Sequence, residues 1–164
     1  MVKVLTPWRY RKGFSLGTST SSKSKNLAAQ RGINYHKKVF KQLGAHVLDE
    51  EDGAELLIEP WFQKIDNTTS PPMRSPDAVI CYPDTNCALV VEVKLNWADG
   101  KDDKLIYEYL PIVQSAFSLT AVWPLLITQC LRGYNAAQPL LGLQQMYRAY
   151  EWEPGRPTPV LLLP

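Results

Sequence analysis

Two carboxylates and an amine, Asp77, Glu92 and Lys94, stand in a stretch otherwise made of strand-forming residues. Ala78-Val79-Ile80-Cys81-Tyr82 leads into the turn Pro83-Asp84-Thr85-Asn86, and Cys87-Ala88-Leu89-Val90-Val91 leads out of it, a pattern that predicts a β-hairpin. Side chains two apart on a strand share a face, so Glu92 and Lys94 should point one way while Val91 and Val93 anchor the strand in the core. The turn should bring Asp77, which follows Pro76 at the start of the first strand, back beside Glu92. Carboxylates so close repel unless a cation lies between them, and a hard divalent ion with oxygen ligands meets that need. Mg²⁺ or Mn²⁺ held by Asp77, Glu92 and the carbonyl of Val93 would polarise a phosphodiester oxygen and lower the pKa of a water, which is metal-assisted hydrolysis. Lys94 would orient that water or offset charge building on the phosphate.

The elements that must position this triplet follow from the flanking pattern. Apolar Leu27, Ile33, Tyr35, Val39, Phe40 and Leu43 recur at helical spacing, predicting a helix from about residue 26 that is broken or kinked near Gly32 and stopped by Gly44. Short strands are expected at Ala45 to Leu48 and Glu55 to Gln63, around the acidic turn at residues 49 to 53, with a loop from Asp66 to Met73. After the hairpin come a helix from Asp103 towards Phe117 with Pro111 early in it, a buried strand at Val122 to Leu131, an amphipathic helix at Leu140 to Trp152 and a Pro-rich tail from Pro154. This order predicts an α/β fold with a mixed central sheet. At 164 residues the chain can form one core unaided by disulfides. Residues 1–24 read as a basic N-terminal arm and 25–164 as a single domain.

The net charge of +2 conceals an asymmetry: residues 1 to 48 carry ten of the 18 Lys and Arg and none of the 16 acids. A basic face on an acidic body suits a polyanionic partner, with DNA the first candidate. Arg9, Arg11 and Lys12 in the arm and Lys37, Lys38 and Lys41 on the first helix are the candidate phosphate contacts, and Trp97 a candidate base contact. Trp61 and Phe62 read as core. No stretch has the length of a transmembrane helix, which predicts a soluble protein without membrane contact, in the cytoplasm. Three cysteines, Cys81, Cys87 and Cys130, are an odd number and read as reduced structural thiols. Two histidines without cysteine partners make a zinc site a poor fit. No Gly-x-Ser-x-Gly elbow marks a serine hydrolase, and no phosphate-binding loop predicts a nucleotide cofactor.

Pro76-Asp77, the strand-turn-strand spacing and Glu92-Val93-Lys94 together resemble the signature of the PD-(D/E)XK nuclease superfamily. The frame Gly32, His36, Val39, Leu43 on the first helix, the Trp61-Phe62 strand, and Leu105 with Tyr109 to Val113 are similar to short nuclease-like proteins of phage and bacterial origin. The resemblance covers roughly residues 25 to 131. It implies a restriction-endonuclease-like fold, a Mg²⁺-dependent endonuclease acting on duplex, branched or junction DNA, and a homodimer, in the host cytoplasm if phage-encoded. Two positions depart from the family pattern. His36 stands where a helix carboxylate is usual, leaving His36 or Glu59 as the candidate further ligand, and Lys104 stands where related nucleases often carry Gln, favouring phosphate over base contact. Alternatives are a DNA-binding module on the same fold with weak or lost catalysis, and a protein-interaction or structural component of a phage.

Overall fold

A computed structural model describes residues 2–5, 8–9, 27–50, 53–64, 73–97, 102–131 and 152–164. In chain order they form β1 (Val2–Leu5), β2 (Trp8–Arg9), α1 (Leu27–Glu50), β3 (Glu55–Ile58), β4 (Trp61–Lys64), β5 (Met73–Arg74), β6 (Ala78–Tyr82), β7 (Cys87–Trp97), a π-helical turn (Leu105–Tyr109) running into α2 (Leu110–Phe117), β8 (Ala121–Leu131) and β9 (Val160–Leu162). The fold is mixed α/β. Six strands form one sheet in the order β2-β3-β6-β7-β8-β9, and β1, β4 and β5 form a smaller antiparallel sheet. No helix among the described residues is long and apolar enough to cross a membrane.

The predicted hairpin is the centre of the large sheet. Strands β6 and β7 pair antiparallel from Ala78↔Val91 to Tyr82↔Cys87, joined by a 3₁₀ turn at Pro83–Thr85 whose cap, Asn86, takes the left-handed φ of 51°, a conformation asparagine tolerates better than most residues. On its other edge β7 runs parallel to β8. Cys87 to Val91 are buried without interruption, the pattern of a strand covered on both faces, and both helices pack against it. Alternation begins at Glu92: Val93 is fully buried, while Glu92 and Lys94 are half-buried. Pro124 is buried within β8 opposite Val90.

Helix α1 corrects three expectations. It is unbroken through Gly32 and Gly44, and Ala45 to Leu48 are helical. The reason is the stripe Tyr35, Val39, Phe40, Leu43, His46 and Val47, all buried, whose spacing of three and four outlasts Gly44 and outweighs the local strand tendency of Val47-Leu48. Glu55 to Gln63 is two strands, because Glu59, at φ 46°, turns the chain from the large sheet into the small one. The segment from Pro154 ends in an edge strand, β9, parallel to β8 with Leu161 to Leu163 buried, since an apolar run of that kind is stabilised more by covering the sheet than by solvent. Trp61 is 46% exposed whereas Phe62 is fully buried, so only the second of that pair is core. The N-terminal segment read as an arm supplies β1 to the small sheet and β2 to the large one. Of the predicted helix at Leu140 to Trp152 and the predicted loop at Asp66 to Met73 only the last residue of each is described: Trp152 is not helical and Met73 lies in β5. Cys81 and Cys87 form no disulfide.

Gly32 adopts helical geometry, and a Cβ there would meet nothing within 4 Å. Glycine inside a helix costs about 0.5–1 kcal/mol relative to alanine. Gly32→Ala is therefore expected to raise the midpoint of thermal unfolding by about 2–4 °C, measurable by circular dichroism; an unchanged or lower midpoint would show that the backbone at Gly32 is not simply helical.

Candidate active site at the end of the β6–β7 ladder

The pairing of β6 with β7 stops at Ala78↔Val91, and the side chain of Asp77 takes over from there. Its Oδ2 accepts the Val93 N–H at 2.6 Å, while its main-chain carbonyl accepts the Glu59 N–H at 2.9 Å. Asp77 is thus fixed at both ends, and its carboxyl is 18% exposed. His36, reaching from α1, has Nε2 at 2.9 Å from the Val93 carbonyl. A carbonyl only accepts, so Nε2 carries the proton and donates. In the neutral ring this leaves the Nδ1 lone pair facing Asp77 Oδ1 at 3.8 Å. Phe40 meets the ring edge-on, with centroids 5.9 Å apart.

On the same face of β7, Lys94 Nζ donates to Glu92 Oε1 at 2.5 Å. Glu92 is 13% exposed and Lys94 43%. Burial and the neighbouring charge of Glu92 push the Asp77 carboxyl up to about 6, against the opposing pull of His36, the Val93 N–H and Lys94. Burial draws the Lys94 amine down, but its hydrogen bond to Glu92 and the charges of Glu92 and Asp77 outweigh this and leave it above the ordinary lysine value. Lys94 is therefore an ammonium throughout the neutral range: it can offset charge and orient a water, and it is not a proton acceptor there.

The donor set fits a hard divalent cation. The charge of Glu92 is felt by an Asp77 carboxyl already resisting ionisation, and a cation relieves that repulsion; His36 Nδ1, when neutral, faces Asp77 Oδ1 as a further donor. Among the described residues no three His, Cys, Asp or Glu side chains stand as a closed metal cage, and Mg²⁺ characteristically takes one or two carboxylates and keeps several waters. The Val93 carbonyl, expected as a ligand, is engaged by His36. Glu59 touches the site through its backbone and its side chain is exposed.

Of the other predicted contacts, Lys37 is half-buried on α1, Lys41 is exposed, and Lys38 donates to the Pro164 carbonyl. The Lys104 ammonium lies 5.1 Å above the Tyr109 ring, and a hydrogen bond to that tyrosine raises its pKa. Arg9 lies in β2 and Trp97 ends β7; their side chains, together with Arg11 and Lys12, fall outside the described residues. Tyr109 itself, buried and among the charges acting on Lys94, carries no sequence signal of its role. Its separation of five from Lys104 suits neither of the usual helical neighbour spacings, and the π-helical turn brings the two together.

No family model matches the sequence, and no curated protein matches it. Among solved structures, protein VC1899 from Vibrio cholerae is similar, with a TM-score of 0.42 and 16% sequence identity over 84% of this chain. The chain spans 32% of the length of that protein.

Folding raises the Asp77 pKa from 3.8 to about 6, so the folded state holds the proton more tightly and stability falls as pH rises between those values. By the usual conversion this amounts to at most about 3 kcal/mol. Asp77→Asn keeps an acceptor for the Val93 N–H and removes the charge. Without divalent metal the variant should melt several degrees above the parent at pH 8, the gap closing towards pH 4. Millimolar Mg²⁺ or Mn²⁺ should then stabilise the parent and leave the variant unmoved; a parent that melts no lower than the variant at pH 8 would show that the carboxylate pair is not strained.

Proposed function

We propose that this protein is a divalent-metal-dependent nuclease of restriction-endonuclease-like fold that hydrolyses phosphodiester bonds in DNA. The observation that carries this reading is the convergence, at the end of one strand ladder, of a burial-strained Asp77, Glu92 and a permanently charged Lys94 bonded to Glu92. Asp77 Oδ1 and Glu92 would hold Mg²⁺ or Mn²⁺, with His36 Nδ1 as the further donor. Once bound, the ion supplies Lewis-acid polarisation of a phosphodiester oxygen and an acidified water. Hydrolysis would form one P–O bond to water as the ester P–O bond breaks, the water's proton leaving to solvent and the departing oxygen taking one up. Lys94 faces the charge that accumulates on the phosphoryl oxygens. Lys37, Lys41 and Lys104 hold flanking phosphates without reading sequence. A homodimer would let two such sites act on opposite strands.

One observation favours a second reading, a DNA-binding module on the same fold. His36 already engages the Val93 carbonyl, so a cation needing that oxygen must first displace the imidazole.

Labelled duplex, single-stranded and four-way junction DNA, incubated with Mg²⁺, Mn²⁺ or EDTA, separates the two. Cutting should require the metal, disappear in Asp77→Ala and slow by about a hundredfold or more in Lys94→Ala. Cutting that survives EDTA or Asp77→Ala would exclude this site as the catalyst, and binding without cutting under every metal would select the binding module.

A further inference from the structure

The π-helical turn holds a cation on a fixed support beside the carboxylate site. Its closing bond, from the Leu110 N–H to the Leu105 carbonyl, spans five residues. The next residue, Pro111, has no N–H to give in either helical geometry, so the wide turn forfeits no hydrogen bond at that position. Residues five apart lie roughly 140° apart around an ordinary α-helix; here the Lys104 ammonium stands 5.1 Å above the Tyr109 ring, and a hydrogen bond joins it to that tyrosine. Tyr109 is buried whereas Lys104 is exposed, so a packed ring carries an ammonium that a ligand can reach. Both residues belong to the electrostatics of the site: Tyr109 acts on Lys94, and Glu92 acts on Lys104. The turn is tied down again by Glu108, which accepts from Arg74, three residues before Asp77.

We propose that Tyr109 is a positioning residue that holds Lys104 ready for the phosphate next to the one at Asp77, Glu92 and Lys94, so that the site grips two successive phosphates of one strand in a single polarity. The inference rests on the nuclease proposal for which phosphate is cut. A lysine ammonium has donors and no acceptor, so its partner is an anion. The carboxylates near it are engaged, Glu92 by Lys94 and Glu108 by Arg74, and among the described residues no carboxylate pairs with Lys104. Glu92 is bonded to Lys94 and reaches Lys104 through its charge, which sets Lys104 a step further out than the amine facing the reacting phosphate. A free lysine side chain carries about 2 kcal/mol of rotamer entropy. Restraint by the ring before the strand arrives removes part of that cost from binding.

The test is a double-mutant cycle on DNA affinity, read by fluorescence anisotropy of the full chain with a labelled single strand in EDTA. Lys104→Gln should weaken binding about threefold or more and flatten the salt slope by about 0.7. Tyr109→Phe keeps the ring and removes the hydroxyl; it should weaken binding about two- to threefold in the parent and not at all beside Lys104→Gln. Lys104→Arg, whose guanidinium stacks on the same ring, should stay within about twofold of the parent. A loss from Tyr109→Phe that is equal in both backgrounds makes the tyrosine merely structural and overturns the proposal, as does unchanged affinity in Lys104→Gln. In Mg²⁺, a strand carrying one neutral methylphosphonate should be cut poorly at the adjoining bond on one side by the parent, and evenly on both sides by Lys104→Gln; a symmetric gap in the parent overturns the single polarity. A protein that shows the coupling but never cuts loses the nuclease reading alone, and one that cuts without the coupling loses the role of Tyr109 alone.

Discussion

The first rung beyond the end of β6 is closed by a side chain. Val93 presents a buried N–H that a longer β6 would have met with a backbone carbonyl, and leaving it unmet would cost about 1–3 kcal/mol. Asp77 meets it with a carboxylate oxygen instead. That substitution commits a charged group to a position 18% exposed and within the field of Glu92. The other features of the site answer the resulting imbalance: the imidazole of His36 on one side, the ammonium of Lys94 on the other. Structure and electrostatics therefore draw on the same atoms, since the group that ends the ladder is also the one whose charge burial resists.

Helix α1 serves two surfaces at once. One flank carries His36 towards Asp77, and the opposite flank carries Arg31, Asn34 and Lys38 to a cavity lined also by Asn96 and Gln129 at the ends of β7 and β8. The helix has no acid in its first turn and no base in its last, and in sequence it ends in Asp49-Glu50. This arrangement runs against the helix macrodipole.

The hairpin and its polar face were legible because period-two alternation and a Pro-Asp-Thr-Asn turn are local signals. The π-helical turn and the contact of His36 with Val93 were not, because each depends on residues brought together by packing. Ala45 to Leu48 misled for the same reason: four residues of mixed tendency say strand, and only the buried stripe from Tyr35 to Val47 says helix. Glu59 escaped notice as a hinge because nothing in Ile58-Glu59-Pro60 signals a positive φ. The pocket beside α1 was illegible as a unit, since Gln129 joins Arg31 and Asn34 only after β8 has been laid parallel to β7.

Pro124 settles a question that the last strand leaves open. The segment Val160-Leu161-Leu162-Leu163 has no alternation of apolar and polar residues to fix its alignment, and such strands are prone to slip. Leu126 donates its N–H to the Pro159 carbonyl at 3.1 Å, so two residues earlier on β8 the same edge would have to donate from position 124. Proline has no N–H to give. A two-residue slide of β9 towards the start of β8 thus forfeits a hydrogen bond outright, and a residue that looks like a flaw inside a strand acts as the stop that sets the register of the sheet's final strand.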